Sequence, residues 1–387
     1  MKSTSIYLDY AAATPMDKAA IRAMQPYFAE RFFNPSAVYQ PARMVRKELE
    51  DARATVADVL GAKDQEIIFT AGGTEANNIA IHGVLSQFKH EPRVNIVVSA
   101  IEHESVLEPA KSYEYRVAPV KPNGILDVQA LTDLIDDHTV MISIMYANNE
   151  VGTVQPLKEV VELVAKKRQQ RTNNLPLYVH TDACQAANYL DLQVARLGVD
   201  LMTINGGKIY ASKQSGALYV RSTVQINNVI EGGGQERGIR SGTEHVPSCI
   251  AFATMLQMVQ ADRKIQTETQ RELTHFLFAK LSQNIPELIL NGDSKKRLPN
   301  NLNLQLPGAD GERLLMELDQ AGVLVATGSA CTASNDETSH VLKAMGLTDA
   351  EASASIRITI GRYTNEKEIE SAAKVLIKTM QQHLRLV

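Results

Sequence analysis

Between residues 66 and 220, short apolar segments alternate with stretches of helical spacing, and this alternation constrains the fold more than any other feature. Such a pattern is typical of an α/β domain with a mostly parallel sheet. It predicts strands at 66–70, 95–99, 140–145, 177–180, 201–204 and 217–220. It also predicts helices at 75–86 and 157–171.

The remaining chain of the 387-residue protein is long enough for a second domain, since one domain usually takes about 150 residues. Further helices are predicted at 17–29, 42–60, 246–281, 310–321 and 366–384, and further strands at 299–306, 324–326 and 355–359. We predict a large domain at 15–255 and a smaller α+β domain formed by 1–14 and 256–387.

The composition excludes several classes of function. The formal charge of −4 gives no basic excess for binding nucleic acid or an anionic membrane. The sequence has no run of about 18 apolar residues, and its first residues lack the apolar core of a signal peptide. Three cysteines are too few for a disulfide framework, so we expect a cytoplasmic protein.

Polar residues follow several predicted strands at the point where each strand ends. They are Thr74, His103, Asn149, Asp182 and Lys208. Open α/β sheets bind ligands beyond the carboxyl ends of their strands. We therefore expect these side chains to meet in one site.

Three of these features match the needs of pyridoxal phosphate. Lys208 offers an amine for the cofactor aldehyde, Asp182 a carboxylate for the ring nitrogen, and Gly72-Gly73-Thr74 a helix start for the phosphate. Each feature also has a structural interpretation. Gly72-Gly73-Thr74 and Asp182 occur as ordinary caps, and a lone histidine such as His103 is often a buried structural residue.

Longer motifs extend these observations along nearly the whole chain. They are Tyr7-Leu-Asp-Tyr-Ala-Ala-Ala-Thr-Pro15, Asn34-Pro-Ser36, Phe69-Thr-Ala-Gly-Gly-Thr-Glu-Ala-Asn-Asn78, Glu102-His103, Ala147-Asn-Asn-Glu-Val-Gly152, His180-Thr-Asp-Ala-Cys-Gln185, Lys208-Ile-Tyr210, Gly232-Gly-Gly-Gln-Glu-Arg-Gly-Ile-Arg-Ser-Gly-Thr243, Gly328-Ser-Ala-Cys-Thr332, Ser339-His-Val-Leu342 and Ser355-Ile-Arg-Ile-Thr-Ile-Gly-Arg362. With these motifs in this order, the sequence resembles the NifS/IscS-like cysteine desulfurases of the class V aminotransferases.

The resemblance implies a fold-type I pyridoxal phosphate enzyme and a role for several residues. Lys208 would hold the cofactor as a Schiff base, Asp182 would pair with the ring nitrogen, and Gln185 would hydrogen-bond the ring hydroxyl. His103 would stack on the ring and take part in proton transfer.

The same resemblance implies contacts to the cofactor phosphate and to the substrate. Gly73 and Thr74 would bind the phosphate, together with Thr243 from the other subunit of an obligate homodimer. Asn149, which we also count among the cofactor contacts, and Arg357 would hold the carboxylate of L-cysteine. Asn34 is assigned to substrate binding as well. No metal site is implied.

Cys331 would be the nucleophile that takes the substrate sulfur as a persulfide and leaves L-alanine. Residues 328–339 have no regular apolar pattern, which suits a loop that meets the substrate and then delivers sulfur elsewhere. The acceptor would be an iron–sulfur scaffold or a tRNA-thiolation enzyme. On the residues alone, Cys331 also fits a small buried apolar side chain.

The sequence departs from the family next to Lys208. The family usually has serine and histidine where this chain has Asn205 and Gly207, and the histidine donates to the phosphate. We hypothesise that Asn205 and backbone amides replace that donor. Other departures are Ala211-Ser212, Tyr39 and Thr327.

Other functions remain open at this point. A selenocysteine lyase or another class V enzyme would share most motifs, although an aminotransferase needs no thiol nucleophile at Cys331. A degenerate homologue without cofactor, serving as a docking partner, is the alternative outside catalysis.

Overall fold

A computed structural model of the chain describes residues 5–91, 93–328 and 338–384. In these ranges the strands are β1 (Ile6–Tyr7), β2 (Ile67–Thr70), β3 (Asn95–Ser99), β4 (Glu114–Ala118), β5 (Thr139–Ser143), β6 (Tyr178–Asp182), β7 (Leu201–Asn205), β8 (Gly216–Val220), β9 (Ile289–Asn291), β10 (Asn301–Gln305), β11 (Val323–Leu324) and β12 (Ser355–Thr359). The helices are α1 (Lys18–Met24), α2 (Gln40–Leu60), α3 (Gly73–Leu85), α4 (Glu104–Ala110), α5 (Val128–Leu134), α6 (Leu157–Gln170), α7 (Val194–Leu197), α8 (Val246–Ala261), α9 (Arg263–Asn284), α10 (Gly311–Gln320), α11 (His340–Ala344), α12 (Asp349–Ser353) and α13 (Glu366–Leu384).

The largest sheet has seven strands in the order β2-β8-β7-β6-β5-β3-β4. Strands β7, β6, β5, β3 and β4 run parallel to one another, whereas β8 is antiparallel to both β7 and β2. The predicted α/β fold with a mostly parallel sheet is thereby confirmed. Because β2 points the same way as β7, the loop before α3 reaches the same sheet edge as the ends of β3, β5, β6 and β7.

Helices cover both faces of this sheet, as a mostly parallel sheet requires. In β2, Ile67 and Phe69 pack into one buried cluster with residues of α2 and α8, and Ile68 packs into another with residues of α3 and α4. Alternate residues of one strand therefore belong to opposite layers.

A third hydrophobic cluster surrounds the three-stranded sheet, whose strand order is β12-β10-β9. Leu302 and Leu304 of β10 and Ile356 and Ile358 of β12 pack there with side chains of α9, α10 and α13. Leu8, from the segment after β1, joins this cluster as well. The predicted domain boundaries near residues 15 and 255 stay a prediction.

Two predicted helices are interrupted in the structure. The helix predicted at 17–29 ends at Met24 and continues as a 3-10 turn over Gln25–Phe28, because Pro26 has no N–H for an α-helical bond. The stretch predicted at 246–281 is two helices that meet at Asp262. None of the helices in the described ranges combines the length and apolar character that crossing a bilayer requires.

Candidate active site

A cleft of about 690 Å³, counting the space open to solvent, lies at the carboxyl edge of the large sheet. Its lining includes the predicted residues Gly73, Thr74, His103, Asp182, Gln185 and Lys208. Asn149, Asn205 and Arg357 line it as well. The structure thus brings together residues spread over nearly 300 positions, as the strand-end pattern predicted.

Lys208 enters the cleft from the turn after β7. Its Nζ donates to the carbonyl oxygens of Ala11 at 2.7 Å and Ala12 at 2.6 Å. Asn188 Nδ2 donates to the carbonyl of Lys208 at 2.7 Å, which fixes the backbone of this turn. The amine is therefore held at the cleft wall by backbone acceptors of the N-terminal segment.

Asp182, the last residue of β6, places a buried carboxylate in the cleft. Asn77 Nδ2 donates to its Oδ2 at 2.8 Å, and the backbone N–H of Cys184 donates to its Oδ1 at 2.9 Å. These neutral donors hold the carboxylate in place without cancelling its charge. A cationic group in the cleft is thus the partner that this carboxylate favours.

His180 lies two residues before Asp182 in β6 and is fully buried. Its Nδ1 lies 2.8 Å from Ser143 Oγ and its Nε2 lies 3.1 Å from Thr203 Oγ1. Burial lowers the pKa of this imidazole from 6.5 to about 4, since no water solvates the charged form. His180 is therefore a neutral support between β5 and β7.

The first turn of α3 presents its backbone to the cleft. The N-cap, Gly72, has φ +140° and gives no side-chain hydrogen bond to the turn. Close contacts hold this loop: a Cβ on Gly216 would lie 2.9 Å from Gly72 Cα, and one on Gly73 would lie 2.8 Å from Cys184 Sγ. A helix start that is held rigidly and carries no cap is a site for an anion.

Asn205 closes the same region from β7. Its Oδ1 accepts the backbone N–H of Gly207 at 2.9 Å, and its Nδ2 would lie 3.5 Å from a Cβ on Gly73. The side chain therefore shapes the turn that carries Lys208.

His103 is the N-cap of α4. Its Nδ1 accepts the backbone N–H of Ser105 at 3.1 Å and lies 2.8 Å from Ser105 Oγ. Because Nδ1 is an acceptor, the neutral ring carries its proton on Nε2.

Glu102 beside His103 is fully buried. One oxygen accepts the Met145 N–H at 2.6 Å, and Oε2 has no partner among the described residues. Burial raises the pKa of Glu102 well above its ordinary value, because no water solvates the carboxylate there.

Arg357 projects from β12 into the cleft and is 2 % exposed. Its Nη2 donates to Asp9 Oδ1 at 2.7 Å, and its Nη1 donates to the carbonyl of Asn149 at 3.2 Å. Its Nε is buried and has no hydrogen-bond partner in the described part of the chain. The guanidinium thus keeps one donor unused, and Arg357 itself lines the cleft.

Two predicted site residues are not brought into this cleft. Asn34 lies on an exposed loop, where its Oδ1 accepts the Ser36 N–H at 2.9 Å. Thr243 lines a separate pocket with Arg240 and Glu236. Their assigned roles stay predictions.

Cys331 lies outside the described residues, but the ends of its segment are placed. A Cβ on Gly328 would lie 3.5 Å from Ser339 Cβ and 3.7 Å from Glu150 Oε2, and Ser339 Oγ donates to that carboxylate. Glu150 follows Asn149, which lines the cleft. Gly328 and Ser339, which lie on either side of Cys331 in the sequence, are therefore placed beside the cleft.

Sequence reasoning missed several contributors to the site. Asp9, Asn77, Ser105 and Cys184 hold functional side chains or line the cleft, and none was predicted. Asp9, Asn77 and Cys184 lie within the motifs that the sequence shares with the family. Their position in those motifs was the sequence signal that could have identified them.

Comparison with known proteins identifies the family of this chain. The family profile described as aminotransferase class-V matches residues 6–371. The chain belongs to this family. Its members depend on pyridoxal phosphate, which is therefore the cofactor of this site. The family and cofactor predicted from the sequence are confirmed.

Two curated relatives of this class V chain are named cysteine desulfurases. The cysteine desulfurase IscS of Dictyoglomus turgidum is 38% identical over 97% of this chain and 94% of its own length. The cysteine desulfurase IscS 1 of Archaeoglobus fulgidus is 35% identical over 96% of this chain and 95% of its own length.

Solved structures show the same likeness. A NifS-like protein superposes with a TM-score of 0.90 at 30% identity, covering 98% of this chain and 100% of its own. A structure described as SspA in complex with cysteine has a TM-score of 0.80 at 30% identity, covering 93% of this chain and 100% of its own.

The cleft fits the cofactor in three respects that the structure itself shows. The amine of Lys208, the buried carboxylate of Asp182 and the uncapped start of α3 stand at one cavity. The glycine backbone at positions 72 and 73 approaches its neighbours so closely that a Cβ at Gly73 would crowd Cys184. The amine, the carboxylate and the helix start match the aldehyde, the pyridine nitrogen and the phosphate of the cofactor, in that order.

Proposed function

We propose that this protein is a cysteine desulfurase that converts L-cysteine to L-alanine and carries the sulfur on Cys331 as a persulfide. The observation that carries the proposal is the arrangement of Lys208, Asp182 and Arg357 around one cleft. It provides an amine, an anion and a guanidinium, as an amino acid substrate and this cofactor require. Curated relatives that match nearly the whole chain support the same activity.

Bound pyridoxal phosphate supplies an electron sink for the carbanion that forms at the substrate Cα. Lys208 would hold the cofactor aldehyde through Nζ, and once the substrate amine has displaced it, the freed amine would be the base for the Cα proton. Asp182 would pair with the ring nitrogen and keep it protonated, because a nearby opposite charge favours the charged form. Asn77 orients the carboxylate for this role. Gln185 orients the ring hydroxyl.

His103 would stack on the ring and take part in proton transfer through Nε2. The backbone N–H of Ser105 holds Nδ1, so the proton-bearing nitrogen is fixed. This fixed tautomer leaves Nε2 available for the reaction.

Arg357 and Asn149 bind the substrate carboxylate. A guanidinium is the group best suited to a carboxylate because it offers parallel donors. Asp9 and the Asn149 carbonyl already hold Nη2 and Nη1, so the fork is oriented before substrate arrives. Asn34 is assigned to the substrate as well.

Cys331 attacks the substrate sulfur as a thiolate. A sulfur–sulfur bond forms, the substrate carbon–sulfur bond breaks, and its electron pair stays on carbon, which then takes up a proton to give alanine. Gly328 and Ser339, the described residues nearest to Cys331 that contact one another, lie beside Glu150, and this placement supports a role for Cys331 at the cleft.

The test is the release of alanine and sulfide from L-cysteine in the presence of a thiol. Wild type is compared with Cys331→Ala and with Cys249→Ala, a matched removal of a buried thiol that does not line the cleft. We expect sulfide release only from proteins that keep Cys331. Full release by Cys331→Ala contradicts the persulfide role, and turnover of selenocysteine without turnover of cysteine indicates a selenocysteine lyase.

We also propose a homodimer. Large apolar side chains between residues 21 and 44 are exposed, among them Phe28 (61%), Phe32 (66%) and Val38 (84%). Apolar side chains concentrated on one segment favour burial against a second copy. Thr243 then reaches the phosphate in the partner's cleft.

Sedimentation velocity of wild type and Val38→Asp tests this pairing. We expect a dimer for wild type and a monomer for the variant. Ile265→Asp is the matched control, because Ile265 is 69% exposed on α9 and does not belong to residues 21–44. A monomeric wild type contradicts the proposal.

The sulfur on Cys331 needs an acceptor protein, which we propose is an iron–sulfur scaffold or a tRNA-thiolation enzyme in the cytoplasm. Transfer of radiolabelled sulfur from the loaded protein to each purified acceptor identifies it. Label that stays on the desulfurase with both acceptors contradicts this assignment.

A further inference from the structure

A second pocket adjoins the cleft on the side of the α3 start. We call it the α3 pocket; residues 71–75, Gly207 and Lys213 are in its lining. Lys208 and Asn205 line both cavities, so the two are neighbours. The backbone of the first turn of the 13-residue helix α3 faces this pocket, and no side chain caps that turn.

The charges around the α3 pocket favour an anion. A phosphate monoester carries about −1.5 to −2 charges at neutral pH, more than one helix start neutralises. The carboxylate of Glu75 also lines the pocket, but Arg240 Nε donates to its Oε1 at 2.8 Å, so its charge is compensated. In the described part of the chain, the lysines that line the pocket are Lys208 and Lys213.

Lys213 is positioned by the absence of a side chain at residue 207. A Cβ on Gly207 would lie 3.3 Å from Lys213 Cδ, so the lysine stem runs across the glycine. Its Nζ donates to the carbonyl of Thr14 at 2.7 Å. Gly207 is itself fixed, since its N–H donates to Asn205 and its carbonyl accepts from Thr14 Oγ1 at 3.1 Å.

We propose that Lys213 is the cation that binds the cofactor phosphate. The inference rests on the proposed function, because Lys208 is then engaged with the cofactor aldehyde and Lys213 is the remaining ammonium of the pocket. An ammonium has three donors, and Thr14 takes one of them. Gly207 contributes by leaving room for the lysine stem.

The experiment compares two ligands that differ only in the phosphate. Full-length protein freed of cofactor is titrated with pyridoxal phosphate and with pyridoxal, and the visible absorbance of the lysine-bound ligand gives each Kd, with Lys208→Ala as the blank. We expect Lys213→Met to raise the Kd for pyridoxal phosphate roughly 10- to 100-fold. The Kd for pyridoxal stays at the wild-type value.

Two further variants sharpen the comparison. Lys213→Arg keeps the charge and is expected to retain tight binding of pyridoxal phosphate. Lys158→Met makes the same charge change on α6, where the Lys158 side chain is 89% exposed, and leaves both Kd values unchanged.

The results separate the possible roles of Lys213. An equal loss for both ligands overturns the proposal, because Lys213 then acts only by holding the Thr14 segment. Unchanged affinity of Lys213→Met for pyridoxal phosphate overturns it as well. Wild-type protein that binds neither ligand refutes the proposed function, and the inference with it.

Discussion

The guanidinium of Arg357 donates to the carboxylate of Asp9 at 2.7 Å, across 348 positions of the chain. The arginine side chain is 2% exposed and that of the aspartate 16%. The pair links the first strand segment to β12 at the edge of the cleft. It neutralises a buried cation and sets the direction of its fork.

Replacing Asp9 by asparagine leaves the buried guanidinium without its anion. We expect Asp9→Asn to lower the free energy of unfolding by about 3 kcal/mol, since breaking a buried pair strands a charge. Urea unfolding of wild type and variant measures the loss.

The double variant Asp9→Asn/Arg357→Met is the control for this interpretation. It removes both charges and is expected to be more stable than Asp9→Asn alone. A double variant less stable than Asp9→Asn contradicts a stranded charge as the cause.

Replacing Arg357 by lysine keeps the charge but removes the planar fork. We expect Arg357→Lys to raise the KM for L-cysteine roughly 10- to 100-fold, because a point charge cannot make two parallel bonds to a carboxylate. Steady-state alanine production measures KM and kcat. An unchanged KM with a lower kcat would place Arg357 in the chemical step instead of substrate binding.

The contact between Gly216 and the loop before α3 gives a third prediction. A Cβ at Gly216 would lie 2.7 Å from the Ile204 carbonyl oxygen and 2.9 Å from Gly72 Cα. Both neighbours are backbone, so Gly216→Ala must displace the strand or the loop. We expect a loss of about 1–3 kcal/mol in stability.

The same substitution reports on the cofactor. Because Gly72 precedes the helix start, Gly216→Ala is also expected to lose pyridoxal phosphate on dialysis, as followed by visible absorbance. Full retention with unchanged stability would show that the loop accommodates a methyl group there.

The pKa of His180 gives a pH dependence. The imidazole titrates near 6.5 in the unfolded chain and at about 4 in the folded protein. Below pH 6.5 the unfolded state therefore binds more protons than the folded state. Stability falls as the pH drops from about 6.5 to about 4, by up to about 3 kcal/mol for this residue.

The measurement is the unfolding midpoint of wild type and His180→Gln between pH 7.5 and 4.5. We expect the stability difference between the two proteins to narrow toward low pH, because the glutamine does not titrate. A difference that is constant with pH would show that His180 is not the source of the acid sensitivity.

Local sequence patterns predicted most elements within two or three residues. The strands at 95–99 and 355–359 and the helix at 366–384 were predicted with the bounds that the structure has. The missed strand β4 is an edge strand with exposed residues such as Tyr115 and Val117, so it lacks the apolar run of a central strand. The break at Asp262 was missed because no proline or glycine marks it.

The sequence determined that polar groups stand at strand ends, and its resemblance to the family identified residues 205 and 207, beside Lys208, as the unusual part of the site. Periodicity and turn chemistry act over a few residues, so such features can be read locally. Only the tertiary structure decided that Asp9 meets Arg357 and that the Lys213 stem crosses Gly207. Those contacts depend on how distant segments cross, which no local pattern records.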